Sequence, residues 1–228
     1  MVGTLVNSAA IILGAIIGIG IKSGIKDRYK STIMDGIGLS VVIIGIMGGI
    51  KANNIIMIIG SIVVGSIIGE IIDIDLKLEH LGDKMENRFG KGDSNFSKGF
   101  VTASLVYCIG AMAIVGSLES GISGNHQILY AKSILDGISA IIFASTLGIG
   151  VDFSAIPVFL YQGVITLLAN VIKDLLTTEV INEMSAVGGI LILAIGINIL
   201  GIKKIKVANM LPAIFIPLIY LTVLSLLK

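Results

Sequence analysis

Two acidic residues stand in segments apolar enough to cross a membrane: Asp35 in TIMDGI (Thr32 to Ile37) and Asp136 in SILDGI (Ser133 to Ile138). A carboxylate in hydrocarbon costs about 2.5–3.5 kcal/mol at a helix centre, so it usually faces protein or water, where it can gate a path or carry a proton. Each acid also falls within about a turn of the start of its apolar segment. A carboxylate there complements the helix dipole, and a plain cap is the competing reading. Glu70, about a turn from the end of its segment, and Asp152, in a short connection, are further cap or gate candidates.

Uncharged polar residues nearer mid-span offer a different chemistry, hydrogen bonding to a passing ion or solute. Gln162 and Asn198 carry it best, because an amide in lipid needs partners. Thr102 and Ser104, Ser145 and Thr146, and Asn7 join them as pathway candidates, although Ser and Thr can satisfy themselves on their own helix. Interhelical glue is the alternative for all of them. Gly110, Gly116, Gly121 and Gly124 dilute one segment and predict a broken or re-entrant helix. Catalytic signatures are missing: there is no HExxH, no GxSxG in a suitable setting, no Walker motif and no close Ser/His or paired-carboxylate set. His80 and His126 have no partners for a ligand cluster. The single cysteine, Cys108, rules out an internal disulfide and any CxxC site. No cofactor or metal is expected, and the chain does not read as an enzyme.

The elements that must position these residues are membrane helices. Hydrophobic residues make up 55% of the chain and charged ones 14%, a balance that a soluble domain of 228 residues could not solvate. The net charge of +1 gives no sign of a nucleic-acid partner. A bilayer core takes about 20 apolar residues of helix. Cutting at charged clusters leaves eight segments: Val2–Ile21, Thr32–Ile50, Asn53–Ile72, Phe100–Leu118, Ser133–Val151, Ser154–Ile172, Met184–Ile202 and Val207–Leu227. Runs this long leave backbone groups that only a helix satisfies alone in lipid, so the fold class is all-α, a polytopic bundle. Twelve of the sixteen lysines and arginines fall in alternate connections when the N-terminus is outside. Only Lys51, Lys132, Lys173 and Lys228 remain external, which predicts both termini outside and eight spans.

The DG motifs belong to a longer repeat. Thr4-Leu5-Val6 matches Ser104-Leu105-Val106, so helices one to three (1–72) correspond to helices four to six (99–172). Three is odd, hence the halves cross in opposite senses and the repeat has inverted topology. Between them, 73–98 is a polar connection in which Leu78, Leu81, Met85 and Phe89 form one stripe, the pattern of an interfacial helix. A final hairpin, 184–228, carries a third copy: SAVGGI (Ser185 to Ile190) has Gly188 in place of the acid. Ser154 and Asn209 each stand three residues before a proline and read as helix caps.

Three stretches are long enough to carry a family resemblance: GFVTASLVYCIGAMAIVGSLESGISGN from Gly99, KSILDGISAIIFASTLGIGVDFSAIPVFLYQGVITLLA from Lys132 and EMSAVGGILILAIGINILGIKKIKVANMLPA from Glu183. Together with GTLVNSAAIILGAIIG and GSIIGEIIDI, they resemble the bacterial membrane-protein family named domain of unknown function 554, over nearly the whole chain. That resemblance implies a multi-pass protein of the bacterial inner membrane and supplies no activity. Members often carry a non-acidic residue where Asp35 stands.

The residues point to a transporter or channel for a small ion or polar solute, working by alternating access about a midplane site. A non-transporting scaffold or partner subunit is the alternative, with an intramembrane enzyme behind it. The expected partners are the lipid bilayer, the solute and a second copy of the chain in a homodimer.

Overall fold

A computed structural model describes residues 1–22, 27–85 and 96–226, and every regular element in it is helical. The elements are α1 (Val2–Lys22), α2 (Asp27–Gly49), α3 (Ile55–Ile72), α4 (Ile74–Met85), α5 (Phe96–Cys108), α6 (Ala111–Ile122), α7 (Gln127–Leu147), α8 (Gly150–Phe153), α9 (Ala155–Ile172), α10 (Thr178–Ile199), a 3-10 helix (Val207–Phe215) and α11 (Ile216–Leu226). Seven spans among the described residues are long and apolar enough to cross a membrane, and an eighth is the bent pair α5–α6. The chain packs as two units: Met1–Ile37 with Leu78–Cys108 and Met112–Asn170, and Gly38–Lys77 with Ile109–Ala111 and Val171–Lys228. These groupings cut across the sequence repeat, because the hairpin of α2 and α3 packs with the C-terminal hairpin.

In the first unit α1 lies parallel to α7. Gly3 meets Leu129, Gly14 the carbonyl of Gly137 and Gly18 that of Ile141, so residue numbers rise together along the contact. Glycines let the two backbones touch, and packing of this kind stands in for a hydrophobic drive that lipid does not supply. α5 runs antiparallel to α7, with Gly99 against Leu147, while Gly121 of α6 abuts the carbonyl of Thr166 on α9. In the second unit both pairings are antiparallel. Gly38 of α2 meets Leu200, Gly45 meets Leu193 and Gly48 meets Gly189, while Gly65 and Gly69 of α3 meet Ala213 and Asn209.

These directions decide the span count. Helices that pack in parallel cross the bilayer in the same sense, so the chain between α1 and α7 must cross an odd number of times. α2 and α3 supply two crossings, and α5–α6 therefore supplies the third as one span bent by 60°. The two antiparallel pairings of the second unit require the same. A re-entrant loop in that place would reverse all three. The bend falls at Gly110, whose φ of +138° is open to glycine but strained for other residues. The break expected from glycine dilution is thus present, and it bends a crossing without turning it back.

Three expectations are corrected. α7 begins at Gln127 rather than Ser133, which places Lys132 inside the helix and buried. Consequently neither acid lies at a helix start: Asp136 is well inside α7, and Asp35 well inside α2, which begins at Asp27. Ser154 and Asn209 do not cap either. The Ser154 hydroxyl donates to the carbonyl of Val151, and the Asn209 side chain is taken up by α3 and α4. The caps that do form are Asn54, which accepts from the Ile56 and Met57 amides, and Thr177, which accepts from that of Val180. The connection contains α4 with Asp75 in its first turn and Lys84 in its last, as the dipole favours. The side chains of Leu78, Leu81, Met85 and Phe89, which were to form the apolar stripe, lie outside the described residues.

Candidate functional site

The polar interior of the first unit is built on the one-turn spacing of its helices. On α9, Gln162 and Thr166 are four residues apart and share a face; so do Thr4 and Ser8 on α1, and Ser117 and Gly121 on α6. Thr4 and Thr166 bring their hydroxyls to 3.5 Å, and the Cβ position of Gly121 lies against the carbonyl of that same Thr166. Nearby, Gly163 of α9 faces the side chain of Met1, and Gly116 of α6 rests on Ile128 and Leu129 of α7. Gln162 and Ser117 are fully buried, and Ser8 nearly so. Both amide atoms of Gln162 and the hydroxyls of Ser8 and Ser117 make no hydrogen bond among the described residues.

The same unit holds a buried charged pair. Lys132 donates to Asp136 at 2.9 Å and lies 2.8 Å from its other oxygen, while Asn7 donates to that second oxygen at 3.0 Å. Residues four apart on a helix face one another, so the pair is local to α7 and Asn7 ties it to α1. Asn7 keeps its own carbonyl oxygen unpartnered.

Other sequence candidates are used by the fold. Asn198 both accepts from the Ile205 amide and donates to its carbonyl, at 2.7 and 2.8 Å, closing the turn after α10. Ser104 donates to Phe100, Ser145 to Ile142, and Thr146 to Ile142 and Phe143, all along their own helices. Thr102 is buried, Asp35 is exposed, and Asp152 lies in α8 with one carboxylate oxygen buried and unpartnered. Glu70 accepts from Lys206 and from Asn209, each at 2.6 Å, and Asn209 accepts from the Asp75 amide, so this cluster fastens α3 and α4 to the 3-10 helix. The hydrogen bond to Glu70 raises Lys206 above the ordinary lysine value.

The chain matches the family described as "Protein of unknown function (DUF554)" over residues 2–222. It belongs to that family. Among DUF554 relatives, it is similar to the uncharacterized membrane protein YdfK of Bacillus subtilis (strain 168), at 40% identity over 95% of this chain and 94% of the relative. It is also similar to the uncharacterized protein YqgA of Escherichia coli (strain K12), at 32% identity over the same shares of each chain. No solved structure matches it. With its apolar helices, this DUF554 chain is an integral membrane protein.

Three features of this DUF554 protein escape a reading of the spans. Lys132 was assigned to a loop because charges were used to end helices, yet its spacing of four from Asp136 is itself the signal of a pair. Ser8 and Ser117 look like ordinary small residues, yet both hydroxyls are buried without a hydrogen bond among the described residues. Glu183, only 1% exposed, accepts from the amides of Asn53 and Asn54 at 2.9 Å and holds the entry to α3 from α10. Nothing in its sequence neighbourhood points to a partner 130 residues away.

Proposed function

We propose that this DUF554 chain is a transporter or channel for a small solute, and that its site lies in the polar interior of the first unit, at the buried Gln162. The observation that supports this reading is the unpartnered Gln162 amide. A buried polar group left unmade costs about 1–3 kcal/mol, and more where no water can reach. Both atoms of that amide stay open, a state that a visiting hydrogen-bonding solute would complete. Structural glue would have paired them, as it has paired Asn198.

An inverted repeat of the kind the DG motifs suggest would supply a way to move, with one hairpin set rocking against the other about this site. In the second unit the α2–α3 hairpin and the C-terminal hairpin lie antiparallel, the arrangement such a repeat calls for. We place the chain in the bacterial inner membrane with both termini outside. We expect no cofactor and no catalysis, and a homodimer as the assembly.

Flux into proteoliposomes tests the reading, with protein-free vesicles as reference and Gln162→Met as the variant that keeps the side-chain volume. Flux above the reference that falls with the variant is the expected result. No flux of any ion or neutral solute by folded protein would leave a scaffold or partner subunit as the better account.

A further inference from the structure

Glu183 has one oxygen that the fold does not use. We infer that this carboxylate belongs to a binding site for a monovalent alkali cation, built on residues of the second unit and independent of whether the chain moves a solute. Its side chain is 1% exposed, and counting from Thr177 it lies about 9 Å along α10, inside a helix that reads as a membrane span. Oε1 accepts from the amides of Asn53 and Asn54, each at 2.9 Å, and these fix it in place. Oε2 is buried and accepts nothing. Glu183 forms no ion pair among the described residues, and Lys51, in the turn between α2 and α3, is exposed. Glu179, one turn earlier on α10, is exposed as well.

A buried carboxylate is costly unless a positive charge meets it. The two amides belong to the entry of α3, where the helix dipole supplies the equivalent of about half a positive charge, so part of the deficit is already covered. A single positive charge completes it, and a divalent ion overshoots. Neutral oxygens stand in the same turn: the carbonyls of residues 50 to 53 accept no backbone hydrogen bond. Carbonyls freed where helices break off are the oxygens that coordinate sodium within membranes. A site of this kind leaves no His or Cys pattern, which is why ligand spacing predicts no metal. Nor do three His, Cys, Asp or Glu come together among the described residues, as a transition metal would require. Access is short, because Asn53 and Asn54, whose amides touch Oε1, are themselves exposed.

The experiment reads binding at equilibrium, on the full chain in detergent. Melting temperature is measured in NaCl, KCl and N-methylglucamine chloride at equal ionic strength, and binding of radiolabelled sodium is followed in parallel with K⁺ as competitor. Na⁺ or K⁺ is expected to raise the melting temperature by several degrees over N-methylglucamine, since a ligand that binds only the folded state stabilises it. Glu183→Gln keeps an oxygen for the two amides and removes the charge, so it should abolish that rise and the saturable binding. Lys51→Gln should leave both intact. Should Glu183→Gln fail to fold, Glu183→Asp, which keeps the charge on a shorter arm, is expected to weaken binding several-fold. A parent protein that neither salt stabilises and that binds no sodium saturably overturns the inference. So does a cation effect that survives Glu183→Gln, or one that appears only once Lys51 is replaced, which would make Lys51 the partner. None of these readouts involves flux, so the transport reading stands or falls separately.

Discussion

Removing either charge of the Lys132–Asp136 pair strands the other in a buried position of α7. Breaking a buried pair from one side costs roughly 3–5 kcal/mol, whereas replacing both partners with apolar groups is often neutral. Lys132→Met and Asp136→Asn are therefore each expected to lower the melting temperature of the detergent-purified protein strongly, and Lys132→Met with Asp136→Leu to recover most of the loss. A double variant as unstable as the two singles summed would mean that the pair does more than neutralise itself. The exposed pair of Glu70 and Lys206 behaves otherwise with pH. Lys206 is raised in the folded state, so its contribution is complete below the unfolded lysine value, about 10.4, and fades as pH rises through the folded one. The melting-temperature difference between the parent and Lys206→Met should accordingly be flat from pH 6 to 9 and shrink in stronger alkali; a difference that changes near neutrality would contradict this.

At the scale of elements, helix contact depends on where a glycine sits and not on how many there are. Within α3, a Cβ at Gly69 would collide with the backbone of Asn209, whereas one at Gly60 meets nothing within 4 Å. Gly69→Ala is expected to destabilise by about 1–3 kcal/mol and Gly60→Ala to be neutral or better, read as thermal unfolding of the purified variants. The repeat motif obeys the same logic. The glycine after the acid receives a neighbouring helix in two copies, Gly137 taking α1 and Gly189 taking α2, whereas a Cβ at Gly36 would meet nothing within 4 Å. Spans were legible in the sequence because hydrocarbon forces every backbone group into a helix. Their ends were less so: cutting at charges fails where a charge has a partner, and Lys132 moved the start of α7 by more than a turn. The site lay mostly hidden for a similar reason. Gln162 stood out as an amide in lipid, but that both its atoms stay buried and unpartnered depends on packing between helices that no single helix encodes.

For the whole molecule, eight crossings, the bent α5–α6 pair counted as one, would put both termini on one side. Reporter fusions at residues 1 and 228 should both read as external, and a cysteine placed at Lys203 in a Cys108→Ser background should react only from the cytoplasm. Opposite signals from the two ends would remove α5–α6 from the span count. The pairing of α1 with α7 has a consequence for how the protein is made. Gly14 and Gly137 touch across a separation of 123 residues, and at about 5–20 residues per second a ribosome needs on the order of ten seconds to deliver the second after the first. During that wait the glycine face of α1 lies bare in the membrane, where any other small-residue helix can occupy it. Correct assembly thus becomes a race between translation and misassociation, which slower synthesis through α2 to α6 would tend to lose.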